Sequence, residues 1–209
     1  ECVAAVGQPY DAGSFTSKGA TNVIDEIEEF LITTNDLDGH TIDWLNVAEE
    51  GDYLELGCYV GTTADILLKK YDLNQYNKKY YLYDAFEWKD GCEHDEMPEH
   101  KDPRMYENVL RRFSKNRNVE VVRGYVPDSF NQSFPEEIAF VHMDMNEASA
   151  EAKALDLVLP RLSKQGYIIF DDYGWWAYSA QKKALDLIAR KHGTNILELP
   201  TGQGLLIKN

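Results

Sequence analysis

The sequence predicts an α/β fold built on a mostly parallel sheet with helices on both faces. Three observations support this. Short apolar segments alternate with helix-length segments from residue 53 onward, as parallel strands joined by helical crossovers require. The strands are apolar throughout, which is typical of a sheet that is covered on both faces. The last two strands are separated only by residues 200–204, too few for a crossover, so they are predicted to form an antiparallel hairpin.

Seven apolar segments are predicted as strands. They are residues 53–56, 80–83, 119–122, 138–143, 167–170, 196–199 and 205–207. Helices are predicted where apolar residues recur at helical spacing or where a capping residue opens such a segment. They are residues 22–33, residues 40–50, the segment opened by Thr62 or Thr63, and the segments near 105–115, 147–162 and 176–192.

The chain of 209 residues has the length of one domain, and no linker or repeat divides it. We therefore predict a single domain over residues 1–209. Residues 1–50 would form an N-terminal arm with the first two helices, and residues 51–209 would form the core. The polar stretch 86–104 is predicted to be a lid, because long polar insertions often close over a site. Its Cys92, His94 and His100 match no recognised zinc ligand set.

The charge balance restricts the partners. Lys and Arg number 21 against 36 Asp and Glu, which gives a formal net charge of −15. Such a field repels phosphate backbones and anionic lipids, so we expect neither a nucleic acid nor a membrane as partner. No apolar stretch approaches the length of about 20 residues that a membrane helix needs. The three cysteines are scattered without a CxxC motif, which favours a reducing, cytoplasmic setting.

The first strand runs into a glycine-containing turn, Glu55-Leu56-Gly57-Cys58-Tyr59-Val60-Gly61. Glycines in such a turn allow tight backbone geometry and close approach of a ligand. Tyr59 occupies the middle position at which a dinucleotide motif carries glycine, so a dinucleotide is disfavoured. Glu55 could instead attract a cationic amino or sulfonium group. The alternative is that both glycines serve the geometry of the turn alone.

The second strand ends at Asp84, where a carboxylate can accept hydrogen bonds from both hydroxyls of a ribose. Phe86 could then lie against an adenine ring. The alternative is a solvated aspartate at a strand end. The combination of Asp84 with the glycine turn favours a nucleoside site over either feature alone.

Acidic side chains follow the fourth and fifth strands. With the two-residue period of a strand, His142, Asp144 and Asn146 would share one face. If these two strands are neighbours, Asp144 would meet Asp171 and Asp172 at one edge of the sheet. Three adjacent carboxylates repel one another, and a divalent cation relieves that repulsion. Oxygen ligands are those that Mg²⁺ prefers, so the cluster predicts a magnesium site.

Together these motifs resemble the class I S-adenosylmethionine-dependent methyltransferases. More narrowly, they resemble the macrocin O-methyltransferase family, metal-dependent enzymes that act on sugar hydroxyls of natural products. The resemblance covers roughly residues 50–209. It is carried by Glu55-Leu56-Gly57 with Gly61, Asp84, His142-Met143-Asp144-Met145-Asn146, Asp171-Asp172-Tyr173-Gly174 and the ending Pro200-Thr201-Gly202-Gln203-Gly204.

The family implies a Rossmann-like seven-stranded sheet with a reversed final hairpin, S-adenosylmethionine as cofactor and Mg²⁺ as metal. By position, Asp144, Asp171 and Asp172 would hold the metal and Asp84 would hold the ribose. The full set of candidate cofactor-binding residues is Glu55, Gly57, Tyr59, Gly61, Thr62, Asp84, Phe86, Gly124 and Tyr125. Many members carry an aspartate where this chain has Asn146, which cannot act as a base.

The predicted reaction is methyl transfer to a hydroxyl of a small molecule, such as a sugar or a glycosylated natural product. Asp144 and His142 are the candidate catalytic residues, although His142 could instead be a hydrogen-bonded core residue. A catechol or phenol acceptor fits the same motifs, and relatives resembling cephalosporin hydroxylases keep hydroxylation open. A catalytically silent cofactor-binding scaffold is the alternative from another class. In that case Trp175, Trp176 and the arm would contact a second copy in a homo-oligomer.

Overall fold

The structure is a computed structural model that describes residues 50–70, 73, 77–87 and 98–208. The predicted arm and its two helices therefore lie outside the described residues, apart from Glu50. The same holds for residues 88–97 of the predicted lid. Residues 98–104 of that segment are described, and they include a short 3-10 helix, Pro98–Lys101.

Seven strands form one sheet, which confirms the predicted fold class. They are β1 (Asp52–Leu56), β2 (Tyr80–Asp84), β3 (Val119–Arg123), β4 (Ile138–Met143), β5 (Leu162–Phe170), β6 (Leu197–Glu198) and β7 (Gly204–Ile207). Their order across the sheet is β3-β2-β1-β4-β5-β7-β6. The first five strands are parallel, and β7 runs antiparallel to both β5 and β6, as the short 200–204 connection predicts.

Four α-helices are present in the described part of the chain. They are α1 (Thr62–Lys70), α2 (Met105–Arg112), α3 (Ala148–Val158) and α4 (Ser179–Lys191). Three of them, α2, α3 and α4, begin or end inside the predicted limits. The helix predicted over 147–162 gives way after Val158 to a 3-10 turn that contains Pro160, because proline lacks the N–H that an α-helix needs. A second 3-10 turn, Trp176–Tyr178, precedes α4.

Side chains on the two faces of the sheet enter two separate apolar clusters. Tyr53, Phe140 and Ile169 lie on one face. Leu54 and Val141 belong to the other. Every residue of β4 is buried, as expected of a central strand covered on both sides. No helix among the described residues combines the length and the apolar character needed to cross a bilayer.

The parallel strands bring their carboxyl ends to one rim of the sheet. Gly57 follows β1, Asp84 ends β2, Asp144 follows β4 and Asp171 follows β5. In open α/β sheets this rim is where ligands bind. The topology therefore gathers the predicted site residues at one edge.

Candidate active site

The turn after β1 explains both of its glycines by geometry. The backbone has φ of 90° at Gly57 and 75° at Gly61, a region that side chains disfavour. A Cβ on Gly57 would lie 2.0 Å from the carbonyl oxygen of Asp144, and one on Gly61 would lie 2.6 Å from Cε2 of Phe113. Tyr59 also adopts a positive φ, of 50°. The turn thus needs these glycines for its own packing, and their contact with a cofactor stays a prediction.

Asp84 ties this turn to the loop after β2. Its Oδ2 accepts a hydrogen bond from the backbone N–H of Tyr59 at 2.7 Å, and its Oδ1 accepts one from Phe86 at 2.7 Å. The backbone N–H of Gly124 donates to the carbonyl oxygen of Asp84 at 2.8 Å, which adds the loop after β3. A carboxylate oxygen can accept more than one hydrogen bond, so the predicted ribose contact remains compatible with these bonds.

The aromatic residues of this rim differ in exposure. Phe86 is only 5% exposed, and its ring centre lies 5.1 Å from that of Tyr106, so the ring is part of the core. Tyr125, beside Gly124, is 45% exposed. The rim therefore presents Tyr125 to solvent, whereas the ring expected to face adenine is covered.

Further contacts close the other side of the glycine turn. The Tyr59 hydroxyl donates to the Glu99 carboxylate in the Pro98–Lys101 turn. Burial and this acidic partner raise the pKa of Tyr59. The Arg112 guanidinium donates to the Val60 carbonyl oxygen at 2.6 Å and to Oγ1 of Thr62, the first residue of α1, at 3.5 Å. The described part of the predicted lid is thus attached to the turn.

Glu55 lies within β1, one residue before the strand ends, and its predicted contact with a cofactor stays a prediction. Its side chain is buried, and its Oε1 lies 3.7 Å from Nδ1 of His142, which is 1% exposed. Oε2 accepts a hydrogen bond from the Tyr80 hydroxyl at 3.1 Å. Burial lowers the pKa of His142, but Glu55, then Asp171 and Asp144, outweigh that effect and raise the pKa to about 9. Glu55 and His142 are therefore neighbours in the core beneath the rim.

The three predicted metal ligands do meet. One carboxylate oxygen each of Asp144, Asp171 and Asp172 lies within 4.8 Å of the others. Burial first, and the charge of Asp171 second, raise the pKa of Asp144 well above its usual range. The same two causes raise the pKa of Asp172 to about 7. The three close carboxylates form an oxygen-donor set whose mutual repulsion a divalent cation would relieve, so these residues fit Mg²⁺.

Three further side chains support the aspartates. Asn146 donates from Nδ2 to Oδ1 of Asp144 at 3.2 Å, and Gln203 donates from Nε2 to Oδ1 of Asp171 at 2.7 Å. Oε1 of the buried Glu151 accepts hydrogen bonds from the backbone N–H groups of Met145 and Asn146. Sequence reasoning missed Gln203 and Glu151. The sequence does indicate Gln203, because it lies in the connection of a hairpin whose last strand returns beside β5. Nothing in the sequence distinguishes Glu151 from any other acidic residue in the first turn of a helix.

Comparison with known proteins identifies the family of the chain. Residues 54–173, more than half of the chain, match the family described as Methyltransferase domain. No curated protein sequence matches the chain.

Among solved structures, the O-methyltransferase NovP is similar with a TM-score of 0.64 and 18% identity, over 91% of this chain and 80% of NovP. The calicheamicin methyltransferase CalS11 is similar with a TM-score of 0.58 and 16% identity, over 98% of this chain and 99% of CalS11. An apo structure of CalS11, described as a TDP-rhamnose 3'-O-methyltransferase, is similar with a TM-score of 0.59 and 14% identity, over 97% of this chain and 96% of CalS11. At these identities the structures show a shared fold. The family match extends over the glycine turn, Asp84 and all three aspartates, and the chain belongs to the methyltransferase-domain family.

Proposed function

We propose that this protein is an S-adenosylmethionine- and Mg²⁺-dependent O-methyltransferase of the macrocin type, acting on a hydroxyl of a small molecule. The observation that carries the proposal is the convergence of three aspartate carboxylates within 4.8 Å, at the rim that also holds Asp84 and the glycine turn. The methyl donor, the cation and the acceptor must bind next to one another, because an in-line displacement requires reactants that are close and correctly oriented.

Each group of residues has a defined task in this proposal, and Asp144 has two. Asp84 would accept hydrogen bonds from the ribose hydroxyls of S-adenosylmethionine, which supplies an electrophilic methyl group. Asp144, Asp171 and Asp172 would hold Mg²⁺, which supplies positive charge beside the acceptor oxygen when bound. An O–CH₃ bond forms as the S–CH₃ bond breaks, and the hydroxyl proton must go to a base. Of the two candidates, Asp144 lies at the rim and His142 is buried, so we assign the proton to the Asp144 carboxylate and a supporting role to His142.

A sugar or glycosylated natural product is our proposed acceptor class. The support is the shared fold with CalS11, which is described as acting on TDP-rhamnose, and the resemblance of the motifs to the macrocin enzymes. The net charge of −15 supports a small-molecule partner over a nucleic acid or a membrane. A cytoplasmic setting and a homo-oligomer are part of the same proposal.

One observation favours a second candidate, a catalytically silent cofactor-binding module. Asn146 stands where many macrocin-type enzymes carry an aspartate, and its Nδ2 donates to the candidate base Asp144 at 3.2 Å. An amide cannot take up a proton from an alcohol. The two functions differ in turnover, since both predict binding of the cofactor.

Methyl transfer from radiolabelled S-adenosylmethionine to a panel of glycosides and phenols tests the proposal. We expect product with at least one glycoside, loss of product in EDTA, and recovery with Mg²⁺. Asp171→Asn should abolish the metal-dependent rate, whereas Asp156→Asn, which alters a carboxylate paired with Lys191 and His192, should leave it unchanged. A full rate in EDTA contradicts the metal role. Binding of S-adenosylhomocysteine in calorimetry without turnover on any acceptor identifies the silent module instead.

A further inference from the structure

The pairing of β5 with β7 sets the position of Gln203. In the antiparallel register Phe170 is opposite Gly204. Asp171 directly follows Phe170 in the chain, and Gln203 directly precedes Gly204. The amide of Gln203 donates from Nε2 to Oδ1 of Asp171 at 2.7 Å. The last hairpin therefore contacts the aspartate cluster directly.

The loop that carries Gln203 is fixed on several sides. Within the hairpin, the backbone carbonyl oxygen of Gln203 accepts a hydrogen bond from the N–H of Leu199 at 2.8 Å. The N–H of Gly174 donates to the carbonyl oxygen of Gly202 at 2.6 Å, which joins the loops after β5 and β6. A Cβ on Gly202 would lie 2.6 Å from Nε1 of Trp175, so the two loops are in close contact. The side chain of Gln203, only 3% exposed, is held in place by this packing.

The other end of the same amide lacks a partner. Oε1 of Gln203 is buried and accepts no hydrogen bond from any described residue. Since Nε2 must face the Asp171 carboxylate, the amide cannot rotate to bring Oε1 to a different donor. A buried acceptor without a donor costs about 1–3 kcal/mol, so such atoms point to a missing hydrogen-bond partner. Asp144, Asp171 and Asp172 are carboxylates and supply only acceptors when ionised.

We propose that Gln203 is a positioning residue of the cation site. Its Nε2 fixes the rotation of the Asp171 carboxylate, and its Oε1 accepts a hydrogen bond from a water or hydroxyl that enters with the cation. This inference rests on the proposed function, because it takes the aspartate cluster to be a cation site. Partners of metal ligands commonly change metal affinity by about 10–100-fold when they are removed.

Titration of the metal-free protein with Mn²⁺, followed by the electron paramagnetic resonance signal of the free ion, tests this role without turnover. Mn²⁺ suits the same oxygen ligands as Mg²⁺. Gln203→Met retains the length of the side chain and removes both polar atoms, and we expect it to weaken Mn²⁺ binding by about tenfold or more. Gln203→Asn withdraws the amide from Asp171 and should give a similar loss if the Met variant does not fold.

Gln181→Met is the matched control. Gln181 is also 3% exposed and also has a buried Oε1 without a partner among the described residues, but it lies on α4 and none of its described hydrogen bonds reaches the three aspartates. Its variant should bind Mn²⁺ as the parent protein does. If the parent binds Mn²⁺ and both Gln203 variants bind it within twofold of the parent, the inference about Gln203 is overturned and the proposed function stands. If the parent binds no Mn²⁺, the metal part of the proposed function fails and the inference fails with it.

Discussion

Glu55 and His142 lie side by side on adjacent parallel strands, in register, with Oε1 of the glutamate 3.7 Å from Nδ1 of the histidine. Both side chains are buried on the sheet face that carries Tyr80, whose hydroxyl also bonds Glu55. A buried carboxylate beside a histidine with a raised pKa is a compensated pair. The acid of the glycine motif therefore has a buried partner beneath the site, and its contact with a cationic ligand stays a prediction.

Glu55→Gln should destabilise the protein at pH 7 by about 1–3 kcal/mol, because the main contact that raises the pKa of the buried His142 is lost and burial then favours the neutral imidazole. The double variant Glu55→Gln with His142→Leu should recover part of that loss, since an apolar side chain in the core needs no polar partner. Urea unfolding of the parent, both single variants and the double variant measures the coupling. Additive effects of the two changes would show that the residues do not act as a pair.

Gly57→Ala should destabilise the protein more than an alanine at another glycine with positive φ. At Gly57 the added Cβ meets the carbonyl oxygen of Asp144 at 2.0 Å, so strand β4 or the turn must move. Gly193 has φ of 73° with nothing within 4 Å of an added Cβ, and it serves as the control. We expect Gly193→Ala to cost about 1 kcal/mol and Gly57→Ala at least about 2 kcal/mol more. Equal denaturation midpoints would contradict the close approach of Gly57 to β4.

Asp84→Asn should weaken binding of S-adenosylhomocysteine about tenfold or more. The variant replaces one acceptor oxygen by an NH₂ group, which cannot accept a hydrogen bond. The bond from the backbone N–H of either Tyr59 or Phe86 is then lost. It also removes an acceptor for the ribose. Calorimetry gives the affinity, with Asp156→Asn as a surface control. An unchanged affinity would exclude Asp84 from the cofactor site.

Glu151→Gln should remove a pH dependence of stability. Burial is the main cause that raises the pKa of Glu151 from 4.5 to about 8, although the N–H groups of Met145 and Asn146 act in the opposite direction. A pKa raised by folding means that stability is fully present below about pH 4.5 and is lost as the pH rises through 8. The Gln variant retains the acceptor oxygen and carries no charge.

We expect the Glu151→Gln variant and the parent to have similar urea midpoints at pH 5. By pH 9 the variant should be more stable by an amount on the order of a few kcal/mol. The comparison between the two proteins removes the contribution of the other acids. A constant difference across this range would show that Glu151 does not titrate with folding.

Local pattern was enough to predict the fold. Residues 138–143 are apolar except for His142 and lie between acidic residues, and they form β4 with those limits. The short connection at residues 200–204 fixed the antiparallel hairpin for a geometric reason, because no helix fits in it. Helix ends were less predictable, since Pro160 converts the end of α3 into a 3-10 turn that the apolar periodicity does not reveal.

The sequence by itself determined that acidic residues follow the strands of a parallel sheet, and parallel strands bring their carboxyl ends to one rim. That is why the meeting of Asp144, Asp171 and Asp172 could be expected. Only the tertiary structure decided which neighbours these and other polar groups acquire. His142 beside Glu55 depends on the register of β1 with β4, and Gln203 beside Asp171 depends on that of β5 with β7. Register is set by packing among residues far apart in the chain, which no local pattern contains.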